Sequence, residues 1–220
     1  MRFVGVDGCP TGWIAVAWDG RAATTAHFLP ALDTLAEVVP DAAVVAIDMP
    51  IVVPGTERLA ETELRAFLGP RRSSVFATPP RVAFDAADYP TANDAARAAT
   101  GKGISRQAWA LVPKIREVIA WLPTAGVPVI EAHPEGCFAT LLGAPAAASK
   151  KTWAGMTQRL GALTAAGFDL SDVDETAARA AVTDDLLDAA AAAWPAARFH
   201  RGEARSFPAD ADPDADVIWA

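Results

Sequence analysis

Phe3-Val4-Gly5-Val6-Asp7, then Gly8-Cys9-Pro10-Thr11-Gly12, then Trp13-Ile14-Ala15-Val16-Ala17-Trp18: this opening stretch decides the fold. The first five residues form a short apolar strand that ends on a carboxylate. The next five are turn chemistry, because glycine permits positive φ and proline fixes its own φ. The apolar run then resumes, Asp19-Gly20 is a hairpin signal, and Ala22–Phe28 supplies a third strand. Three strands in a meander therefore open the chain. Leu32–Val39 has helical spacing, and Ala43–Asp48 is an unbroken apolar run that again ends on an acid, just before Met49-Pro50. A continuous run of that kind suits a strand covered on both faces, which makes the chain α/β.

Outward from this frame, the middle of the chain is helix and loop. Glu57–Leu68 reads as a helix closed by Gly69-Pro70, and Arg71–Arg81 as a long irregular segment. Ile104–Leu122 reads as a helix that Pro113 kinks or breaks in two. Val127–Glu131 is a further short strand, and it too ends on an acid. Pro134–Leu142, Thr152–Ala166 and Asp184–Arg198 have helical character, the last with an alanine-rich body that allows close packing and with Pro195 as a candidate early end. Residues 206–220 read as an exposed acidic tail, a strap over Pro208–Asp216 leading to Val217–Trp219. There is no internal repeat and no boundary signal. Residues 1–220 are therefore expected to form one domain, with a helical and loop insertion over about 57–122.

Apolar residues make up 52% of the chain, enough for a sizeable core, which excludes global disorder. No apolar run reaches the roughly 18 to 20 residues needed to cross a bilayer. The N-terminus places an acid where a signal peptide needs its apolar stretch, so a cytoplasmic location is expected. Cys9 and Cys137 lack C-x-x-C spacing and read as reduced thiols. The net charge of −8 argues against a general nucleic-acid coat protein. Its distribution says more. Residues 1–57 hold two basic and seven acidic side chains, 58–159 thirteen and eight, and 160–220 four and twelve. A basic middle in an acidic chain suits a localised anion site, or else ordinary solvated helix charge.

Three strands thus end on Asp7, Asp48 and Glu131. In open α/β sheets, ligands gather at the strand carboxyl ends. Neighbouring strands lie about 5 Å apart, so acids at adjacent ends can share one metal ion. Asp184, Asp185 and Asp188 open the late helix, with Asp185 and Asp188 on one face at i and i+3. Capping by Thr183 or Asp184, together with the helix dipole, accounts for Asp184. It accounts poorly for Asp188, which lies beyond the first turn and precedes apolar Ala189–Trp194. Clustered carboxylates persist in apolar surroundings only when protonated or neutralised by a cation. Oxygen donors select Mg²⁺ or Mn²⁺ over zinc, and such ions activate water and stabilise the leaving oxygen in phosphodiester cleavage.

The order of these elements resembles the RNase H-like superfamily: a meander whose first strand carries an Asp, a helix, a strand with a second acid, and a late helix with D-x-x-D. Within it the motifs are similar to a family of predicted RNase H-like nucleases called domain of unknown function 429. They stand here as Val4–Cys9, Ile47–Pro50, Gly69–Phe76, Gly101–Trp109, Pro113–Glu117, Glu131–Glu135, Ser149–Thr152 and Asp184–Ala189, over residues 3 to about 200. The resemblance implies an RNase H-like mixed sheet, an antiparallel three-strand meander plus parallel strands, flanked by helices. It implies a divalent-metal-dependent nuclease or phosphodiesterase using Mg²⁺ or Mn²⁺ on a nucleic acid or other phosphate-containing substrate. Asp7, Asp48 and Asp185 are then the metal ligands, with Glu131 and Asp188 as further catalytic acids.

The basic residues fall in the same motifs. Arg71 and Arg72 precede Ser73-Ser74, a loop able to grip phosphate, and Lys114, Arg116, Lys150 and Lys151 can line the approach. Salt bridges to Glu61, Glu63, Glu117 or Glu135 are the structural alternative for each. His133, between Glu131 and Glu135, can shuttle a proton to a leaving oxygen or orient a ligand carboxylate. Trp109 and Trp153 are expected in the core, with stacking on bases as the alternative. Two other functions share these features. Val4-Gly5-Val6-Asp7-Gly8-x-x-Thr11 also looks like the first phosphate loop of actin-like sugar kinases, phosphoryl-transfer enzymes that need a second lobe and a second glycine-rich loop. A non-catalytic module would use the acids structurally and the basic loop to bind an anion or partner.

Overall fold

The computed structural model describes residues 1–171, 173–209, 211 and 216–220. Strands β1 (Arg2–Cys9), β2 (Gly12–Trp18) and β3 (Thr24–Leu29) form the expected antiparallel meander. The β2–β3 turn is organised by Asp19, whose Oδ1 accepts the N–H groups of Arg21, Ala22 and Ala23. Those residues are thereby held in the turn, and the third strand starts at Thr24 rather than Ala22. A 3-10 turn and the short helix α1 (Leu35–Val38) lead into β4 (Ala42–Ile47), which pairs parallel to β1.

Five helices follow: α2 (Leu59–Leu68), α3 (Arg81–Phe84), α4 (Tyr89–Thr100), α5 (Arg106–Ala110) and α6 (Val112–Trp121). Proline lacks an N–H and clashes with the preceding turn, and the long helix expected over 104–122 accordingly breaks at Leu111, with Pro113 in the first turn of α6. β5 (Val129–Ala132) then pairs parallel to β4. α7 (Pro134–Leu142), α8 (Trp153–Ala165), α9 (Glu175–Ala180) and α10 (Thr183–His200) precede β6 (Ser206–Phe207) and β7 (Ile218–Trp219). Pro195 does not end α10, whose buried alanine face holds the helix together past it.

The sheet order is β3-β2-β1-β4-β5-β7-β6, with β7 parallel to β5 and β6 antiparallel to β7. This is the expected α/β mixed sheet flanked by helices, and it is consistent with an RNase H-like fold. The end of the chain departs from an exposed tail. Val217–Ala220 is buried, and Arg205 and Ala220 exchange backbone hydrogen bonds of 2.9 Å. Residues 210 and 212–215 of the expected strap lie outside the described residues. Among the described residues, no helix is long and apolar enough to cross a membrane.

Side-chain alternation divides the sheet into two faces. Val4, Val6, Val45 and Ile47 belong to the core beneath α6, whereas Phe3, Val44 and Ala46 belong to the core beneath α10. Gly5 also faces α10. A methyl group there would come closer than 3.0 Å to the backbone of Ala189 and Ala193. The absence of a side chain on Gly5, together with the small side chains of Ala189–Ala193, is what lets α10 lie directly on the central strand. That approach sets the position of the acids at its first turns.

Candidate metal centre

The alternation that buries Phe3 and Gly5 under α10 turns Asp7 to the same face. Asp48 follows β4 immediately, and its N–H donates to the carbonyl of Val6 at 2.9 Å, continuing the parallel ladder by one residue. It lies two residues beyond Ala46, on the α10 side. α10 then brings Asp188 down between them. One carboxylate oxygen from each of Asp7, Asp48 and Asp188 falls within 4.8 Å of the others. Asp7 and Asp188 are buried and Asp48 is half-buried, at one end of a cavity of about 860 Å³.

These three acids repel one another in a dry setting. Burial, then Asp48, Asp188 and Asp185, push the Asp7 carboxyl well above its usual pKa. Burial and then Asp188 raise Asp48 to about 8, and burial raises Asp188 to about 6 against the pull of Lys150. Lys150 pairs with Asp188 Oδ2 and lies 3.5 Å from Asp184. Asp188 Oδ1, by contrast, is buried with no hydrogen-bond partner among the described residues. Three convergent carboxylate oxygens, on a set of acids that includes one unpartnered oxygen, are the donor set a hard divalent cation takes. The residues therefore fit Mg²⁺ or Mn²⁺ as a class, the protein supplying Asp7, Asp48 and Asp188.

The expected trio is Asp7, Asp48 and Asp185, but the acid whose oxygen converges with those of Asp7 and Asp48 is Asp188. Asp185 lines the same cavity, but its Oδ2 accepts the N–H of Val182 at 3.2 Å. Val182 is the residue before the helix and has no acceptor of its own, so the cap expected from Thr183 or Asp184 is replaced by this reach-back from the third helical residue. Asp188, one turn further in, projects over the sheet. Asp184 is taken up by Lys151 at 2.5 Å.

Glu131 is the penultimate residue of β5 rather than its expected end, and it points to the other face. It pairs in register with Ile47, of the opposite core, while its neighbours Ile130 and Ala132 pack on the α10 side. There its carboxylate takes two bonds from Arg58, at 2.8 and 2.7 Å, and one from the N–H of Ile51 at 3.1 Å. Arg58 also holds Asp216 and Thr78. This buried network leaves Glu131 outside the carboxylate trio. His133 caps α7: its Nδ1 accepts the N–H of Gly136 at 3.3 Å, and its Nε2 donates to the Ser74 carbonyl at 3.4 Å. Burial lowers its pKa to about 4. Both ring nitrogens thus face backbone groups that tie the Ser74 loop to the start of α7.

The basic residues are mostly tethers. Arg71 donates to the carbonyls of Ala146 and Ala147, each at 2.8 Å, and Arg159 to that of Ala148 at 3.1 Å. Arg159, missed in the sequence, is buried and also bonds both oxygens of Glu135 at 2.6 and 2.7 Å. Its place on the apolar face of α8, four residues from each of buried Gly155 and Leu163, was the available signal. Together Arg71 and Arg159 fix the loop that delivers Lys150 to Asp188. Lys114 donates to the Gly12 carbonyl at 2.6 Å over the Trp13 ring, and Arg116 to the Phe84 carbonyl. Arg72 and Ser73 are exposed, Ser73 on the cavity wall. Trp109 is partly buried against the core, but Trp153 is 76% exposed, against expectation.

A pH effect follows for the metal-free protein. A carboxyl whose folded pKa is raised adds stability that is full below its ordinary value of 3.8 and is lost as pH rises through the folded value, about 8 for Asp48. His133 has the opposite sign, since its lowered pKa removes stability as pH falls below its ordinary 6.5. Between pH 8 and 6.5 only the first effect acts. Thermal melts in EDTA are expected to show stability rising on acidification across that window, by up to about 1.4 kcal/mol per pH unit for one proton. With Mn²⁺ the trend should flatten or invert, because the ion requires ionised carboxylates.

No curated protein and no solved structure matches the chain. A family model described as "Protein of unknown function (DUF429)" matches residues 5–213, which include most of the meander, the basic segments and the three converging acids. With that match spanning nearly its whole length, the chain belongs to the DUF429 family.

Proposed function

We propose that this protein is a divalent-metal-dependent phosphodiesterase of nuclease type, one RNase H-like domain whose insertion over 57–122 forms a wall of the acidic cavity. The observation that carries the reading is the meeting of Asp7, Asp48 and Asp188 within 4.8 Å, with Asp188 Oδ1 buried and unpartnered. A bound Mg²⁺ or Mn²⁺ would supply an activated water and stabilise negative charge on phosphoryl oxygens. The chain does the rest. Asp7 and Asp48 are held by adjacent parallel strands, and Gly8 N–H donates to Asp7 Oδ1 at 2.7 Å, fixing its rotamer. Lys150 fixes the other oxygen of Asp188 and favours its ionised form. Burial works against the Lys150 charge, but Asp188 and Asp184 outweigh it and keep its pKa above the usual lysine value.

The engagement of Arg71 and Lys114 by backbone carbonyls weighs against a module that binds anions through the basic loop. The enzyme reading is tested by incubating the protein with single-stranded, duplex and junction nucleic acids and with nucleotides, under Mg²⁺ and Mn²⁺. Cleavage of at least one substrate, abolished by EDTA, is expected. Inertness toward all of them with either ion would contradict it.

A further inference from the structure

A second recess, of about 350 Å³, opens beside the acidic cavity and shares Lys150, Lys151, Val182 and Asp184 with it. Trp153, Met156 and Leu187 complete its apolar lining. Trp153 is the first residue of α8, and Val182, across the recess, is 52% exposed. An indole 76% open to water is an unusual use of the largest apolar side chain, since aromatic residues dominate cores and interfaces. Its surroundings are close to neutral, because Asp184 is matched by Lys151 at 2.5 Å and Lys150 at 3.5 Å.

We infer that this recess is a base-binding subsite, in which Trp153 stacks on the base of an unpaired nucleotide whose phosphodiester reaches the acidic centre. The inference rests on the phosphodiesterase reading and narrows its substrate to short, unpaired strands. Three observations point the same way. The recess shares four lining residues with the cavity that holds Asp7, Asp48 and Asp188. Its volume falls in the range of small-ligand pockets, and it offers an aromatic face, an apolar floor and a polar rim. Stacking is also indifferent to sequence and requires a base free of its helix.

The third observation is what the basic residues do. A duplex is gripped through many phosphate contacts, and each needs an available cation. Here Arg71, Lys114 and Arg116 donate to backbone carbonyls, and Lys150 and Lys151 are paired with acids. A ligand held by one or two phosphates and a stacked base fits this surface, and a long polyanion does not.

The test is binding of a labelled five-nucleotide single strand with Ca²⁺ present, measured for the wild type, Trp153→Ala and Trp153→Phe. Because the side chain is largely exposed, neither variant should disturb folding. Trp153→Ala is expected to weaken binding about 10-fold, and Trp153→Phe to stay within about three-fold of the wild type. Raising salt from about 50 to 200 mM should cost less than about 10-fold, against roughly 10³-fold or more for a protein gripping six or more phosphates. Undetectable binding, equal binding by Trp153→Ala, or a duplex held as tightly as the strand would each overturn the inference. So would unchanged binding by Trp153→Ala accompanied by loss of a dimer in light scattering, which would mark the ledge as a contact between copies. Trp153-dependent binding without cleavage of any substrate would sink the phosphodiesterase reading and leave the subsite standing; cleavage with Trp153-independent binding would do the reverse.

Discussion

Asp188→Asn is expected to lower Mn²⁺ affinity and metal-dependent cleavage by about 100-fold or more, while Asp185→Asn changes either by less than about three-fold. Outer-sphere partners of metal ligands already contribute roughly 10- to 100-fold, so loss of a ligand should lie at or beyond that range. Asparagine keeps the shape of Asp188 and removes the charge that makes it a donor. The two acids differ by one helical turn, and the structure gives them different work. Asp188 is 3% exposed over the sheet, with one oxygen unpartnered. Asp185 is half-buried and bonded to the backbone that starts the helix. Its loss should instead fray α10 slightly, at about 1 kcal/mol. Titration calorimetry on the two variants separates the roles, and circular dichroism confirms that both are folded.

Gly5→Ala is expected to be among the most damaging substitutions of a single methyl group. The added carbon would come closer than 3.0 Å to the carbonyl oxygen of Ala189 and the nitrogen of Ala193. Both are backbone atoms of a buried helix and cannot step aside as a flexible side chain would. Overpacking costs typically 1–3 kcal/mol, and a clash against backbone belongs at the upper end, about 3 kcal/mol or more. At this chain length that lowers the melting temperature by roughly 6–12 °C. Any protein that remains folded must lift α10 from β1, which carries Asp188 away from Asp7, so Mn²⁺ affinity should fall as well. Gly161→Ala is the control. That glycine lies exposed in α8 with open space at its Cβ, and alanine there should stabilise by up to about 1 kcal/mol.

Much of this was legible in the order of residues. The meander, the apolar fourth strand and the alanine-rich helix each announce themselves through local pattern, and Asp7 and Asp48 close the apolar runs of their strands, Asp7 two residues before the end of β1 and Asp48 just after β4. Asp188 was also readable, since an acid beyond the first turn and followed by six apolar residues has no capping duty. The family resemblance drew the assignment to Asp185 instead. Glu131 lies outside the trio because of parity. A strand-end acid joins the cluster only if its side chain points to the same face, and that depends on the register of β5 against β4, which no local pattern specifies.

The basic residues misled for a different physical reason. Arg71, Lys114 and Arg116 each satisfy a carbonyl far away in sequence, 75, 102 and 32 positions off. Composition registers their charge but not the carbonyls that take up their N–H donors. Arg58 and Arg159 were overlooked for the complementary reason, because buried guanidinium groups are recognised by the acids that fold against them. Trp153 erred in the other direction. Its apolar bulk predicted burial, and the structure leaves it beside the cavity.

The most direct test of the central claim is anomalous diffraction from crystals soaked in Mn²⁺. A manganese peak bounded by the carboxylates of Asp7, Asp48 and Asp188 is the predicted result. A peak elsewhere, or none at that position in crystals that hold manganese at another acidic site, would contradict the assignment of these three residues as the metal centre.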